Sequence, residues 1–155
     1  MKFIHAALLA SLATFANGAT VNPPSRRGCA EAARFGVVTT SPSSVAPGDS
    51  LTINADFNCA INWFGIIPQY TDYYLEVVTN NNGHEPPILL ARRTLLPGAT
   101  NDSFTVEIPY AYYFANTTYT GVLDTTYPVS GTNGTPYSVV GGVYFNVNLV
   151  NVTSS

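Results

Sequence analysis

Alternating apolar and polar residues in the second half of the chain constrain the fold most strongly. Phe104, Val106 and Ile108 alternate with polar residues, which is the pattern of a strand with one buried face and one wet face. Pro109 ends this strand, because proline cannot donate a hydrogen bond to a sheet. A second strand is predicted to begin at Tyr119. That position predicts a tyrosine corner, in which the hydroxyl folds back onto the preceding connection.

The same alternation recurs along the chain and predicts a protein built of β-strands. The predicted strands cover residues 34–40, 51–57, 73–79, 88–94, 103–108, 119–123 and 143–149. Turn residues separate them, for example Pro47-Gly48 and the Asn-rich run that ends at Gly83. Residues 124–142, rich in Thr, Gly and Ser, are predicted to be irregular. About seven short strands between turn signals predict an all-β domain, an immunoglobulin-like or fibronectin-III-like Greek-key sandwich.

The first eighteen residues have the composition of a cleavable signal peptide. Lys2 precedes an apolar run over residues 3–15, and small residues follow at positions 16 and 18, which a signal peptidase inspects. The run is shorter than the roughly 20 apolar residues of a membrane-spanning helix. We therefore expect a secreted, extracellular protein that is not inserted in a membrane.

The mature chain is predicted to consist of an arm over residues 19–33 and one domain over residues 34–152. Prolines keep the arm extended. Within it, Arg26-Arg27 is either a dibasic processing site or a pair of exposed arginines.

Charge excludes some classes of partner. Without residues 1–18, five arginines and no lysine stand against nine acidic residues. Nucleic acids and anionic membranes require clustered Lys and Arg. Because charged residues make up only 10% of the chain and apolar ones 46%, a folded domain is expected rather than disorder.

Two kinds of covalent modification are predicted. Cys29 and Cys59 are expected to form a disulfide in an oxidising compartment. The alternative is a free nucleophilic thiol, which would need His84, the one histidine after residue 18, as its base. Four Asn-x-Ser/Thr sequons predict a glycoprotein, with glycans at Asn101, Asn116, Asn133 and Asn151.

Titratable groups for catalysis are scarce. A glycosidase needs two carboxylates about 5–9.5 Å apart, and the candidate pairs are Glu76 with Glu107 and Asp56 with Asp72. Solubilising surface acids are the more common explanation of such residues. A metal site needs three or four ligands, more than one histidine and a bridged cysteine pair supply. The sequence analysis therefore predicts no enzyme, no metal and no cofactor.

Tyrosine is the one residue type in excess, with ten copies. Exposed aromatic rings stack on sugars and anchor protein interfaces, although many tyrosines in a sandwich only rim the core. The candidate binding surface consists of two clusters, Tyr70, Tyr73 and Tyr74, and Tyr110, Tyr112 and Tyr113. Trp63 is expected in the core.

Four motifs that follow the signal peptide carry a family resemblance that spans residues 37–150. They are Ser-Pro-Ser-Ser-Val-Ala-Pro-Gly-Asp-Ser-Leu-Thr-Ile at 41–53, Leu-Glu-Val-Val at 75–78, Phe-Thr-Val-Glu-Ile-Pro at 104–109 and Val-Tyr-Phe-Asn-Val at 143–147. With them, the chain resembles the necrosis-inducing secreted protein family of plant-associated fungi. The resemblance implies a fungal virulence effector that binds a host protein, in the pathway of plant immune receptor kinases, and some members cause cell death.

The fungal cell-wall-associated proteins with an N-terminal immunoglobulin-like domain are a second group that the chain resembles. They share the same pattern of proline and glycine residues at the ends of strands. The predicted partner is therefore a host protein or, alternatively, a cell-wall polysaccharide. A monomer is expected.

Overall fold

The chain folds into β-strands with little helix, which confirms the predicted all-β class. The structure is a computed structural model and describes residues 28–81, 83–114 and 116–152. Its strands are β1 (Val37–Ser41), β2 (Ser44–Val45), β3 (Ser50–Asp56), β4 (Tyr70–Glu76), β5 (Ile88–Arg93), β6 (Asn101–Glu107), β7 (Thr120–Ser130), β8 (Pro136–Phe145) and β9 (Asn148–Leu149). A short helix, α1 (Asn58–Asn62), follows β3, and a 3-10 turn spans Glu31–Ala33.

The strands form two antiparallel sheets that pack face to face. One has three strands in the order β1-β3-β6, and the other has four in the order β5-β4-β7-β8. β2 and β9 pair in parallel. Between the sheets, the Tyr73 ring of β4 meets the Phe104 ring of β6 edge to face, with centroids 4.9 Å apart. The fully buried core includes Leu51, Ile53, Phe57, Leu75, Ile108 and Leu123.

An ion pair joins the two sheets at one edge. Arg93 of β5 donates two hydrogen bonds to the carboxylate of Asp102 on β6, with N···O distances of 2.8 and 2.9 Å. The guanidinium also lies 4.7 Å from the centroid of the Phe104 ring. Bidentate arginine–carboxylate pairs are among the stronger hydrogen-bonded contacts, so this pair fixes how β5 meets β6.

The predicted disulfide between Cys29 and Cys59 is confirmed. It links the residues before β1 to helix α1 and closes a loop with a sequence separation of 30. A loop of this length stabilises the fold by about 3–4 kcal/mol in the chain-entropy model.

Tyr119, whose hydroxyl was predicted to fold back onto the preceding connection, does so. The Tyr119 hydroxyl accepts a hydrogen bond from the backbone N–H of Phe114 at 2.9 Å. It donates to the carboxylate of Glu85, which is buried, at 2.6 Å. Burial and the Glu85 hydrogen bond raise the pKa of Tyr119. The connection before β7 and the loop before β5 are thereby tied together.

The prediction of an irregular segment over residues 124–142 is wrong. Most of it belongs to a long hairpin in which β7 pairs with β8 from Gly121 and Phe145 out to Ser130 and Pro136. Pro128 is tolerated because β4 stops pairing with β7 at Thr126, so β7 lies at the edge of the sheet beyond that point. The turn closes at Gly134, with φ of 82°.

Two smaller expectations also need correction. The first strand begins at Val37 rather than at 34, because a 3-10 turn occupies Glu31–Ala33. Helix α1 was not predicted: five residues are too few to establish a helical period.

The predicted signal peptide, Arg26-Arg27 and most of the predicted arm lie outside the described residues. Within the described ranges, no helix has the length and apolar character needed to cross a membrane.

Candidate functional site

The outer surface of the four-stranded sheet gathers aromatic and charged side chains on one face. Residues directly opposite each other on paired strands share a face, so the sheet register identifies its members. We call this surface the tyrosine face. It comprises Tyr70, Asp72, Tyr74 and Glu76 of β4, Arg92 of β5, Asp124 of β7, and Val140, Gly142 and Tyr144 of β8.

At its centre, Asp72 and Arg92 form a bidentate ion pair. Arg92 donates hydrogen bonds to both carboxylate oxygens of Asp72 at 2.6 and 2.8 Å. Its guanidinium lies 4.5 Å from the centroid of the Tyr70 ring. The Asp72 side chain is buried, whereas that of Arg92 is 59% exposed. The pair therefore holds the guanidinium in a fixed orientation with one side open to solvent.

Asp124 lies beside this pair and has no cationic partner among the described residues. It is directly opposite Asp72 on the neighbouring strand, and within the described residues its carboxylate accepts no hydrogen bond and forms no ion pair. Burial, and then the charge of Asp72, raise the pKa of Asp124. Burial, and then Asp124, likewise raise the pKa of Glu76. The tyrosine face therefore contains carboxylates that are partly desolvated and lack donors.

Gly142 leaves room for the carboxylate of Asp124. A Cβ atom at this glycine would lie 2.7 Å from Asp124 Oδ1, which is closer than ordinary contact. On either side along β8, Val140 and Tyr144 are 61% and 71% exposed. The carboxylate thus lies against β8 between two exposed side chains.

The predicted tyrosine clusters are only partly surface clusters. Tyr73 and Tyr113 are 0% and 2% exposed, so including them in a binding surface was wrong. Tyr73 points between the sheets because it alternates with Tyr74, and the Tyr113 hydroxyl donates to the Pro109 carbonyl at 2.7 Å. Tyr70 and Tyr74 are half-buried on the tyrosine face.

Tyr110 and Tyr112 are exposed on the connection between β6 and β7. The Tyr112 and Phe114 rings are nearly perpendicular, at 88°, so this cluster is not a flat platform. We call Tyr110, Tyr112 and Phe114 the aromatic connection.

Tyr144 is the member of the tyrosine face that the sequence analysis missed. The alternation of residues 143–149 already predicted that it points away from the core. No other tyrosine is adjacent to Tyr144 in sequence, and the other aromatic residues of the face come from another strand, so the sequence gives no cluster at this position.

The carboxylate pairs considered for catalysis are not formed. Glu76 and Glu107 lie on strands of different sheets, as do Asp56 and Asp72. Asp56 instead accepts a hydrogen bond from the backbone N–H of Asn58 at 2.7 Å. The fold instead brings Asp72 and Asp124 directly opposite each other.

Three other predicted residues or groups can be located. Trp63, expected in the core, is 55% exposed and lies against Gly28 beside the disulfide. His84 is exposed and lines a cleft of ≈ 490 Å³ between the β4–β5 loop and the residues before β7. The four sequon asparagines, Asn101, Asn116, Asn133 and Asn151, are exposed, and their glycosylation stays a prediction.

Comparison with known proteins identifies no family for this chain. The sequence matches no protein-family model and no curated protein. Among solved structures, it is similar to a superoxide reductase (neelaredoxin) from Ignicoccus hospitalis, with a TM-score of 0.40 and 11% identity, over 74% of this chain and 80% of that one. A substituted variant of that reductase matches with a TM-score of 0.40 and 12% identity, over 79% and 90% of the two chains.

These matches correct one prediction. The sequence analysis predicted that the chain is not an enzyme, and the finding contradicts this, because the matched proteins are enzymes by name. At this TM-score the likeness carries no argument about substrate, metal or residue roles, and no activity is transferred to this chain.

Proposed function

We propose that this protein is secreted and binds carbohydrate, such as a cell-wall polysaccharide, on the tyrosine face. One observation carries the proposal: Asp124 is half-buried, has no hydrogen-bond donor of its own among the described residues, and packs on Gly142 beside an exposed tyrosine. A desolvated carboxylate without a donor is costly in the free protein. A ligand rich in hydroxyl groups supplies the missing donors.

The aromatic residues of the tyrosine face suit the apolar face of a sugar ring, and its charged residues suit the hydroxyl groups. A pyranose ring has an apolar face of C–H groups, which packs on aromatic rings, and an edge of hydroxyl groups. Tyr144 and Tyr74 offer ring surface, while Asp124 accepts hydrogen bonds and Arg92 donates them. Because Asp72 already orients the guanidinium, little side-chain entropy is lost when a ligand binds.

The strand arrangement supports a more specific fold class. We propose that the domain is an immunoglobulin-like or fibronectin-III-like sandwich. Three strands in the order β1-β3-β6 face four in the order β5-β4-β7-β8, and a tyrosine corner precedes β7. This arrangement is typical of the class. The disulfide is typical of proteins folded in an oxidising compartment, which supports secretion.

Retention on insoluble polysaccharide tests the proposal. The purified protein is mixed with fungal and plant cell-wall polysaccharides, and the bound fraction is measured after sedimentation. We expect Tyr144→Ala and Asp124→Ala each to weaken retention about tenfold or more, the loss of one good stacking or charged hydrogen-bond contact. Tyr137→Ala is the matched control, because Tyr137 is 54% exposed on the same strand but points to the opposite face. Equal retention of all four proteins, or no retention of any, contradicts the proposal.

A second function, binding of a host protein by a fungal effector, is favoured by the aromatic connection. Tyr110 and Tyr112 are 81% and 60% exposed, and the perpendicular rings of Tyr112 and Phe114 suit the irregular surface of a protein better than a flat sugar. Tyrosines are frequent anchors of protein interfaces.

Capture of detergent-solubilised plant plasma-membrane proteins tests this second function. We expect Tyr112→Ala to abolish capture of a receptor and Tyr144→Ala to leave it unchanged. Capture that is lost only with Tyr144→Ala would assign the protein partner to the tyrosine face and contradict the assignment to the aromatic connection.

A further inference from the structure

One sheet edge of this domain lacks the features that normally prevent strand pairing. β8 is the outer strand of the four-stranded sheet and has ten residues. After Pro136 it contains no proline and no charged residue, and its register with β7 is continuous, without a bulge. Long, uncharged, regular edge strands are templates for pairing with another strand.

The other edges of the two sheets are each protected. β5 carries Arg92 and Arg93, follows Pro86-Pro87 and contains a bulge in its pairing with β4. β6 carries Asp102 and Glu107. β1 has five residues and is followed directly by Pro42. Because three edges have charges, prolines or a bulge, the absence of all of them from β8 after Pro136 is selective.

The open part of the β8 edge spans residues 136–140. Beyond it, the Phe35 ring packs against Gly141, and residues 30–38 flank Val143 and Tyr144. Within the described ranges, the side of β8 turned away from β7 forms no backbone hydrogen bond. Tyr137 and Val140, which are 54% and 61% exposed, lie on opposite faces of this segment. A strand paired here would therefore gain both backbone hydrogen bonds and apolar contacts.

We propose that the edge of β8 binds the β8 edge of a second copy of this chain, which forms an antiparallel two-fold dimer. A strand without charged side chains pairs with itself without like-charge repulsion. An edge such as β5 would instead bring two pairs of arginines together. A two-fold axis also lets each copy satisfy the other's backbone groups with the same residues. The dimer contains one continuous eight-stranded sheet and has its two tyrosine faces on the same side.

Sedimentation velocity of the disulfide-bonded protein, over a wide range of concentrations, tests the proposal. We expect a reversible dimer whose dissociation constant rises about tenfold or more in Val140→Lys, because a charge on an edge strand opposes pairing. Leu89→Lys is the matched control: Leu89 is 50% exposed and lies on the other edge strand of the same sheet. Its dimer should be unchanged. Circular dichroism checks that both variants fold.

Hydrogen exchange of the backbone amides provides the second measurement. In the dimer, the amides of residues 137–140 that point away from β7, which are every second one along the strand, should gain protection as concentration rises. A wild-type protein that stays monomeric at every concentration overturns the proposal. So does a dimer that Val140→Lys leaves intact, or a monomer in which these outward-pointing amides are already protected, which would mean that another part of the chain covers the edge. None of these outcomes depends on carbohydrate binding.

Discussion

The outer faces of the two sheets differ in how their polar groups are satisfied. On the three-stranded sheet, the hydroxyl of Ser103 donates to Asn54 Oδ1 at 2.6 Å, and the hydroxyls of Thr52 and Thr105 lie 3.0 Å apart in a hydrogen bond. We call these four residues the polar face. On the tyrosine face, by contrast, the carboxylate of Asp124 has no donor among the residues that the structure describes.

We infer from this difference that the polar face contributes to solubility and that the tyrosine face contributes to recognition. A surface whose polar groups bind each other and water costs the fold nothing and needs no ligand. A half-buried carboxylate beside another carboxylate reduces stability, and such an arrangement is typical of functional sites. The following predictions test whether the two faces differ in function as they do in chemistry.

Adjacent tyrosines of β4 should have opposite roles, and their substitution has the largest expected effect. Tyr73 is completely buried between the sheets, so Tyr73→Ala should lower the free energy of unfolding by about 3–5 kcal/mol, the usual cost of an aromatic core truncation. Tyr74 is half-buried on the tyrosine face, so Tyr74→Ala should lower the free energy of unfolding by only about 1 kcal/mol or less. Urea unfolding followed by fluorescence measures both.

Polysaccharide retention then separates these two variants by function. Folded Tyr74→Ala should bind weakly, whereas the folded fraction of Tyr73→Ala should bind normally. Normal binding by Tyr74→Ala would mean that its ring takes no part in the site.

Asp102 should be a stabilising carboxylate, with an acid-dependent contribution. The Arg93 hydrogen bond holds the pKa of Asp102 below its usual value of 3.8, so the charged form is favoured in the fold. Its contribution is present above the ordinary pKa and is lost as pH falls through the lowered one. Asp102→Asn should therefore cost about 1.5–3 kcal/mol at neutral pH, as for hydrogen bonds to charged groups. The cost should vanish in strong acid. Thermal unfolding at a series of pH values measures it, and a cost independent of pH would contradict this account.

Asp124 should behave in the opposite way. Its pKa is raised above 3.8, by burial and then by Asp72, so the fold favours the neutral form. The stability that this form contributes is present below pH 3.8 and is lost as pH rises through the raised pKa. Asp124→Asn should thus increase the free energy of unfolding at neutral pH by about 0.2–1 kcal/mol, the size of a cross-strand charge interaction. In the same pH series, the gain should disappear in acid. A destabilised variant at neutral pH would show that this carboxylate has a partner in the fold.

The sequence predicts the location of the strands better than it predicts which residues share a face of a sheet. Alternation identified the core row of β3 and of β6, because burial of one side of a strand is a local pattern. The β7–β8 hairpin was missed because its threonines and glycines give no clear alternation, and it is fixed by pairing between residues distant in sequence. Tyr74 and Asp124 meet through register alone. Alternation within β4 could, however, have shown that Tyr73 and Tyr74 point to opposite sides.

The smallest effect is expected on the polar face, and it provides the control for the comparison. Ser103→Ala removes the hydroxyl that donates to Asn54, but both side chains are exposed and water replaces the lost partner. The free energy of unfolding should change by no more than about 0.5 kcal/mol, and retention on polysaccharide should equal that of the wild type. If retention falls in Ser103→Ala while folding is unchanged, carbohydrate binds on the three-stranded sheet. The unpartnered Asp124 would then be a cost of the fold without a ligand, and the distinction between the two faces would fail.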